Sequence, residues 1–200
     1  ATLSFVRNPF HPVVWVAEDD GSHAHKLLPG TNPHVSPDGK MVAFNAPKGN
    51  SFGSGLFVGP ADGSAPAAKL LSNWREPFVF DWSPDGSTIA ALRGPEIGKR
   101  SLVLIDVTTG RVNVVASGFF SGVSFAPQGG AVLQLVYARA GSEKFPPRSD
   151  VFRFGVPTGP AVRFEPPVRL THDHRSTDPL WGPNGKIVFV KLLGAKQRKY

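Results

Sequence analysis

Apolar residues in this chain come in short runs, and each run is opened by the same kind of turn. Ser36-Pro37-Asp38-Gly39 precedes the run at 41–44, and Ser83-Pro84-Asp85-Gly86 precedes 88–92. Two looser copies, Ala126-Pro127-Gln128-Gly129 and Gly182-Pro183-Asn184-Gly185, precede 131–136 and 187–190. Pro37, Pro84, Pro127 and Pro183 thus mark a recurring unit. Proline presets φ, and Asp, Asn or Gly tolerates the turn that follows, so each copy predicts a tight hairpin between two strands. A second turn recurs at fixed spacing: Gly63, in Asp62-Gly63, follows Gly39 at the same interval as Gly110, in Thr109-Gly110, follows Gly86. A third strand, 56–58 or 102–107, precedes that turn and a fourth, 69–71 or 112–115, follows it. Each unit holds four short strands joined by hairpins.

The second strands show how the units pack. Val42, Ile89, Val132 and Val188 occupy one column, and Ala43, Ala90, Leu133 and Phe189 the next. Both faces are apolar. A sheet with one wet face alternates apolar with polar residues, whereas a sheet pressed between two others buries both faces. Four-stranded repeats of roughly 45 residues with two greasy faces match the blades of a β-propeller. We therefore expect an all-β chain forming a single partial β-propeller over residues 1–200, with blade segments 1–30, 31–73, 74–118, 119–173 and 174–200. The third whole unit is lengthened by Pro-rich insertions at 141–149 and 160–167, which belong in loops. Strands two to four are expected at 2–6, 13–17 and 24–28, and strand one of a further unit at 179–182, followed by strand two again. With strand two at both ends, the pattern reads as an incomplete ring, about four blades of a six- or seven-bladed propeller. A four-bladed ring with a basic overhang is the alternative.

Composition narrows the chemistry more than the fold. With Gly 22 and Pro 20, the longest stretches free of both are 99–109 and 168–178, which excludes long helices. With no cysteine there are no disulfides, thiol nucleophiles or thiolate metal sites. No apolar run approaches the ~18 residues of a membrane span. The net charge is +7, but Lys186, Lys191, Lys196, Arg198 and Lys199 lie in an end segment without an acid, so the rest of the chain carries only +2. A basic tail argues against a nucleic-acid surface spread over the domain. No charged n-region followed by an apolar h-region is present at the start of the chain.

The repeat carries a family resemblance. Asn32-Pro33-His34-Val35-Ser36-Pro37-Asp38-Gly39-Lys40-Met41-Val42-Ala43-Phe44 and Asp81-Trp82-Ser83-Pro84-Asp85-Gly86-Ser87-Thr88-Ile89-Ala90 resemble the Pro-Asp repeat of TolB-like, WD40-like β-propellers. Arg169-Leu170-Thr171-His172-Asp173, running on to Asp178-Pro179-Leu180-Trp181-Gly182, resembles the junction between one blade and the next. The resemblance implies a periplasmic or extracellular protein serving interaction or gating, and it transfers no catalytic residue, because the repeat motif is structural.

Candidate chemistry is sparse. Gly49-Asn50-Ser51-Phe52-Gly53 fits the spacing of a nucleophile elbow, but a helix must follow the serine and here a strand does. The pairs His23 with His25 and His172 with His174 have strand spacing suited to a metal, yet each lacks a third ligand nearby, so we read them as turn residues. Asp19-Asp20-Gly21 and Ala61-Asp62-Gly63 read as repeat turns rather than calcium loops. The basic residues 196–200 read as solvated charge rather than a phosphate contact. No catalytic residue, cofactor or metal is expected. The most promising surface is built from the loops joining strand four of one blade to strand one of the next, which gather around the mouth of the channel. Asn73, Trp74, Arg75, Glu76, Phe119, Phe120, His174 and Arg175 lie there, and aromatics beside arginines have the composition of an interface. The expected function is a non-catalytic scaffold binding a protein or peptide partner through these loops, with no nucleic acid and no membrane span. The alternative is the substrate-gating propeller of a prolyl-oligopeptidase-like serine peptidase whose catalytic domain lies outside this segment.

Overall fold

Antiparallel β-strands account for all the regular structure in the computed structural model, which describes residues 2–7, 12–46, 55–71, 80–94, 99–128, 132–140, 149–157, 166–182 and 184–192. Strands β1 (Thr2–Arg7), β2 (Val13–Glu18) and β3 (His25–Pro29) form a three-stranded sheet in that order. A four-stranded sheet follows, made of β4 (Thr31–Val35), β5 (Met41–Asn45), β6 (Leu56–Pro60) and β7 (Ala68–Lys69). Next come β8 (Phe80–Trp82), β9 (Thr88–Arg93), β10 (Arg100–Asp106) and β11 (Val112–Phe125). Strand β11 then leads into β12 (Val132–Ala140), β13 (Ser149–Pro157) and β14 (Val168–Arg169). The pair β15 (Ser176–Trp181) and β16 (Ile187–Lys191) completes the set.

Within each sheet a strand pairs with the next in sequence, as hairpin-built blades require, and the Ser-Pro-Asp-Gly turns explain why. Ser36 N–H donates to the Met41 carbonyl at 2.8 Å, and Gly39 N–H to the Ser36 carbonyl at 2.9 Å. The Ser36 hydroxyl donates to Asp38 at 2.6 Å and accepts Met41 N–H at 2.9 Å, while Asp38 also accepts Lys40 N–H at 3.0 Å. Ser83, Asp85, Ser87 and Thr88 reproduce this network at the equivalent atoms. Gly39 and Gly86 sit at φ of 76° and 71°, a left-handed conformation that a Cβ would strain. At Gly182 to Gly185, without the serine and aspartate side chains, the closing bond runs from Gly182 N–H to the Lys186 carbonyl at 2.8 Å, one residue shorter than in the two intact copies.

Alternate residues of the central strands face opposite neighbours. In β9 and β10, Ile89, Ala91, Val103 and Ile105 pack with Ala43, Leu56, Val58 and Leu71 of the preceding blade. The residues between them, Ala90, Leu92, Leu102 and Leu104, pack with Phe120, Val123, Phe125, Phe154 and Val156 of the following blade. In β5 the split repeats: Ala43 faces forward, and Val42 and Phe44 pack backward on Val14 and Val16 of β2. Each large apolar side chain contributes about 1.5–3 kcal/mol on burial, and both faces are used. In β16, Val188, Phe189 and Val190 are exposed, unlike their counterparts in β5 and β9.

Two local expectations are corrected. The loop expected at Phe119 and Phe120 is instead the middle of β11, whose residues 112–118 pair with β10 and 119–125 with β12, so two blades share one seven-stranded sheet. The run has no proline, and small residues let it bend: Gly122 lies so close to Pro179 that a Cβ would meet Pro179 Cδ at 2.9 Å. The register shifts between Phe120 and Gly122, where the strand changes partner. Strand β15 begins at Ser176 rather than at the expected Pro179.

The turn network gives a test. Ser83 is buried, and Ser83→Ala leaves the Thr88 N–H and the Asp85 carboxylate each short of one partner. We expect a loss of about 1–3 kcal/mol in urea unfolding, with a similar loss for Ser36→Ala and additive losses in the double variant, because the turns share no partner. A loss below about 0.5 kcal/mol would show that the side-chain network is dispensable.

Candidate functional site

Strand one of each blade carries a residue two positions before its turn: His34, Asp81, Ser124 and Leu180. The flanking positions are mostly apolar, so the sequence offers a polar column inside an apolar frame. In the structure this column joins successive blades. The Trp82 indole N–H donates to the His34 carbonyl at 3.0 Å, Phe125 N–H to Asp81 Oδ2 at 2.8 Å, and Trp181 N–H to Ser124 Oγ at 3.2 Å. Asp81 Oδ1 also accepts its neighbour's N–H, from Trp82, at 2.9 Å, and the Ser124 side chain bonds the same carboxylate. The His34 ring rests against Phe80, with centroids 4.5 Å apart.

Burial sets the electrostatics of this row. It pushes the Asp81 carboxyl above its ordinary value, and the donors from Phe125, Ser124 and Trp82, with the charge of His34, offset only part of that push. Burial also holds His34 below its ordinary value, against the pull of Asp81. Two ionisable groups in adjacent blades thus have their charged forms disfavoured, a combination that marks candidate sites.

A second polar cluster clamps the junction between β14 and β15. Asp150 is buried, and its Oδ1 accepts the Thr171 hydroxyl at 3.2 Å and His174 N–H at 3.0 Å. Its Oδ2 meets Arg169 Nη2 at 2.5 Å and His174 Nδ1 at 2.9 Å. Burial alone would raise this carboxyl, yet the His174 N–H, Arg169 and Thr171 together leave it below its ordinary value. Asp173, in the turn before β15, is lowered to about 2 by Lys191, with the Arg175 N–H and the Ser176 hydroxyl assisting.

The candidate residues fare differently. Asn73, Trp74, Arg75 and Glu76 lie outside the described residues, as do Ser51 and 196–200. Phe119 is half-buried, and Phe120 is buried in the core between β10 and β13, so it offers no exposed aromatic surface. His174 is engaged with Asp150, while the Arg175 side chain is exposed beside it. Of the histidine pairs, His25 is bound through Nε2 to the Ala61 carbonyl at 2.9 Å, and its Nδ1 to the His23 carbonyl at 3.1 Å. Asp20 and Asp62 each accept a backbone N–H within their own turn, from Ser22 and Ser64. Among the described residues no three His, Cys, Asp or Glu side chains converge on a metal position. His34, Asp81, Ser124 and Asp150 were not singled out from sequence; aligning the positions before each turn exposes the first three, and Asp150 lies in an unrepeated stretch.

Comparison with solved structures decides the architecture. The chain superimposes on TolB from Acinetobacter baumannii with a TM-score of 0.69 over 97% of its length, at 18% identity. The fold is a TolB-like β-propeller. A putative TolB from Agrobacterium tumefaciens gives 0.67 over 94%, also at 18% identity. The chain covers 48% of the first structure and 66% of the second, so it spans a part of their length. The β-propeller domain of the Trilobed protease from Pyrococcus furiosus, described as having an open velcro topology, gives 0.54 over 88% at 15% identity and is covered to 54%. No protein-family model and no curated protein matches the chain. Along the first strands of three successive blades, His34 and Asp81 are half-buried and Ser124 is buried.

The row predicts opposite pH effects. An unfolded chain protonates His34 near 6.5 and the folded one only lower, so stability present above 6.5 falls as the pH drops below it. Asp81 is protonated in the fold before it is in the unfolded chain, whose value is 3.8. It therefore adds stability as the pH falls toward 3.8, and that contribution is lost as the pH rises through its raised value. In denaturant titrations from about pH 7.5 to about pH 4, His34→Asn should flatten the upper slope and Asp81→Asn the lower one. Slopes unchanged in both variants would remove the row from the pH response.

Among the described residues no helix is long and apolar enough to cross a membrane.

Proposed function

We propose that this TolB-like propeller is a non-catalytic scaffold that binds a protein or peptide partner through the loops and inner strands around its channel mouth. The observation that carries the reading is the fixed geometry of the junction at Asp150. Three elements, β13, β14 and the turn before β15, are tied by one buried carboxylate, which leaves the exposed Arg175 on a pre-ordered support. A rigid rim lowers the ordering cost of association, and arginine is among the residues that anchor interfaces. By the sequence repeat, Trp74, Arg75 and Glu76 align with this junction and are included in the proposed surface. The family resemblance supports a periplasmic or extracellular setting.

A second reading is favoured by one comparison, the propeller domain of the Trilobed protease. In that reading the chain gates substrate access to a serine hydrolase domain elsewhere in a longer protein. Labelling of the full-length protein by a fluorophosphonate distinguishes the two, since only the gating reading expects it.

For the scaffold, tagged chain is used to recover a partner by crosslinking, and the affinity of the purified pair is then measured. Trp74→Ala with Arg75→Ala, or Arg175→Ala, is expected to weaken binding by at least about tenfold, the effect of losing interface anchors. Undiminished binding in all the variants would reject this surface.

A further inference from the structure

The seam between the sheets β1–β3 and β4–β7 is hollow at a corner that the next seam fills. Strand register sets the comparison. Ala61 N–H donates to the Lys40 carbonyl at 2.8 Å as Val107 N–H donates to the Ser87 carbonyl at 2.9 Å, so Ala61 and Val107 hold one position of the repeat. Gly59 pairs with Val42 as Ile105 pairs with Ile89. Ala67 lies against Gly59, whose Cβ would meet that of Ala67 at 2.8 Å, in the place where Val112 faces Ile105. In the second seam Ile105, Val107 and Val112 pack in one core with Leu70. In the first a glycine and two alanines replace them, and a cavity of about 360 Å³ is left between β3 and the chain from the end of β6 to the start of β7.

Buried Phe44 and half-buried Leu27 line its deep side, and Leu28, Pro60 and Pro66 its outer side. The two walls are tied together, since His25 of β3 bonds the Ala61 carbonyl through Nε2 at 2.9 Å. Two prolines and the Asp62 bond to Ser64 N–H fix the far wall, so the space exists before a ligand enters it and little ordering cost remains. Among the described residues lining the cavity Lys26 alone is charged, and its side chain is exposed. Asp62, the acid of the adjoining turn, is engaged with Ser64. Ligand pockets begin at about 300 Å³, so the volume suits a small molecule. A single ammonium is a point charge that matches a singly charged head, whereas a phosphate calls for several donors or a guanidinium fork.

We propose that this seam cavity binds a small aliphatic carboxylate, with a chain of roughly six to ten carbons in the apolar space and its carboxylate paired to Lys26. The inference goes beyond the protein-binding reading and uses none of the residues of the Asp150 junction.

The test is NMR titration of the isotope-labelled full chain at neutral pH with octanoate and with octanol, which has the same chain without the charge. The amide resonances of Leu27, Leu28, Ser64, Ala65 and Ala67 are expected to shift with both. Octanoate should bind at least about threefold more tightly, the worth of an exposed ion pair. Lys26→Met keeps the aliphatic stem and should abolish that advantage while leaving octanol binding unchanged. Ala67→Val returns the side chain that the next seam carries at Val112 and should weaken both ligands by at least about fivefold, because the space is then filled. No shift of these resonances with octanoate up to about ten millimolar, equal affinity for octanoate and octanol, or octanoate affinity unchanged in Lys26→Met or in a folded Ala67→Val variant would each overturn the proposal. If Ala67→Val does not fold, the octanol comparison and Lys26→Met, at an exposed position, decide.

Discussion

A blade at the middle of this protein has no face for water. Its central strands send alternate side chains into two separate cores, so Ile89 and Ala91 belong to one interface and Ala90 and Leu92 to the other. Such a sheet is thereby committed to both neighbours, and no single blade can satisfy its apolar surface alone. Polar groups are then confined to edges and turns. The Ser-Pro-Asp-Gly corners answer that confinement: one serine hydroxyl and one carboxylate satisfy the N–H groups that the tight turn would otherwise leave unpaired. The two intact copies repeat the same bonds at nearly the same distances, which marks them as a geometric solution rather than a local accident.

Where polarity does enter the interior it is used to join blades. The strand-one column fastens each inner edge to the next, and the buried Asp150 fastens two outer strands of a blade to the chain that leaves it. These two devices differ in electrostatic balance. Asp150 has Arg169 as a fixed cation and keeps its carboxyl below the ordinary range, whereas Asp81 is held by neutral donors and is pushed above it. A buried acid with a resident counter-ion is a structural rivet. At Asp81 the same role is filled by neutral donors, which offset only part of the burial that disfavours its charge.

The repeat was legible from the chain because turn chemistry is local: proline, aspartate and glycine at fixed spacing report a hairpin whatever surrounds it. The two-faced apolar columns were legible for the same reason, since strand periodicity follows from the backbone. What failed to show was anything set by the meeting of distant segments. Phe119 and Phe120 read as a loop because other junctions break there, but no proline interrupts residues 112–125, and pairing with β12 draws the whole run into one strand. Asp150 lay in no motif, and its partners Arg169, Thr171 and His174 come from a later stretch of chain. His34 and Asp81 sat in plain view within the motif, but their importance depends on burial and on each other, and neither is a property of one blade.

Two kinds of polar position follow from this construction. Turns and junctions carry bonds made within one blade or between successive segments, so substituting there alters local stability. The first strands carry residues from consecutive blades at one repeated position, and their identities vary as His, Asp, Ser and Leu ahead of each Pro-containing turn. The architecture holds this position in place and accepts several chemistries there, provided each supplies a hydrogen-bond acceptor to the next blade. In this propeller that position of each strand-one motif is joined to the next blade, at Asp81 through a carboxylate bonded by Phe125 and Trp82 and at Ser124 through a hydroxyl bonded by Trp181.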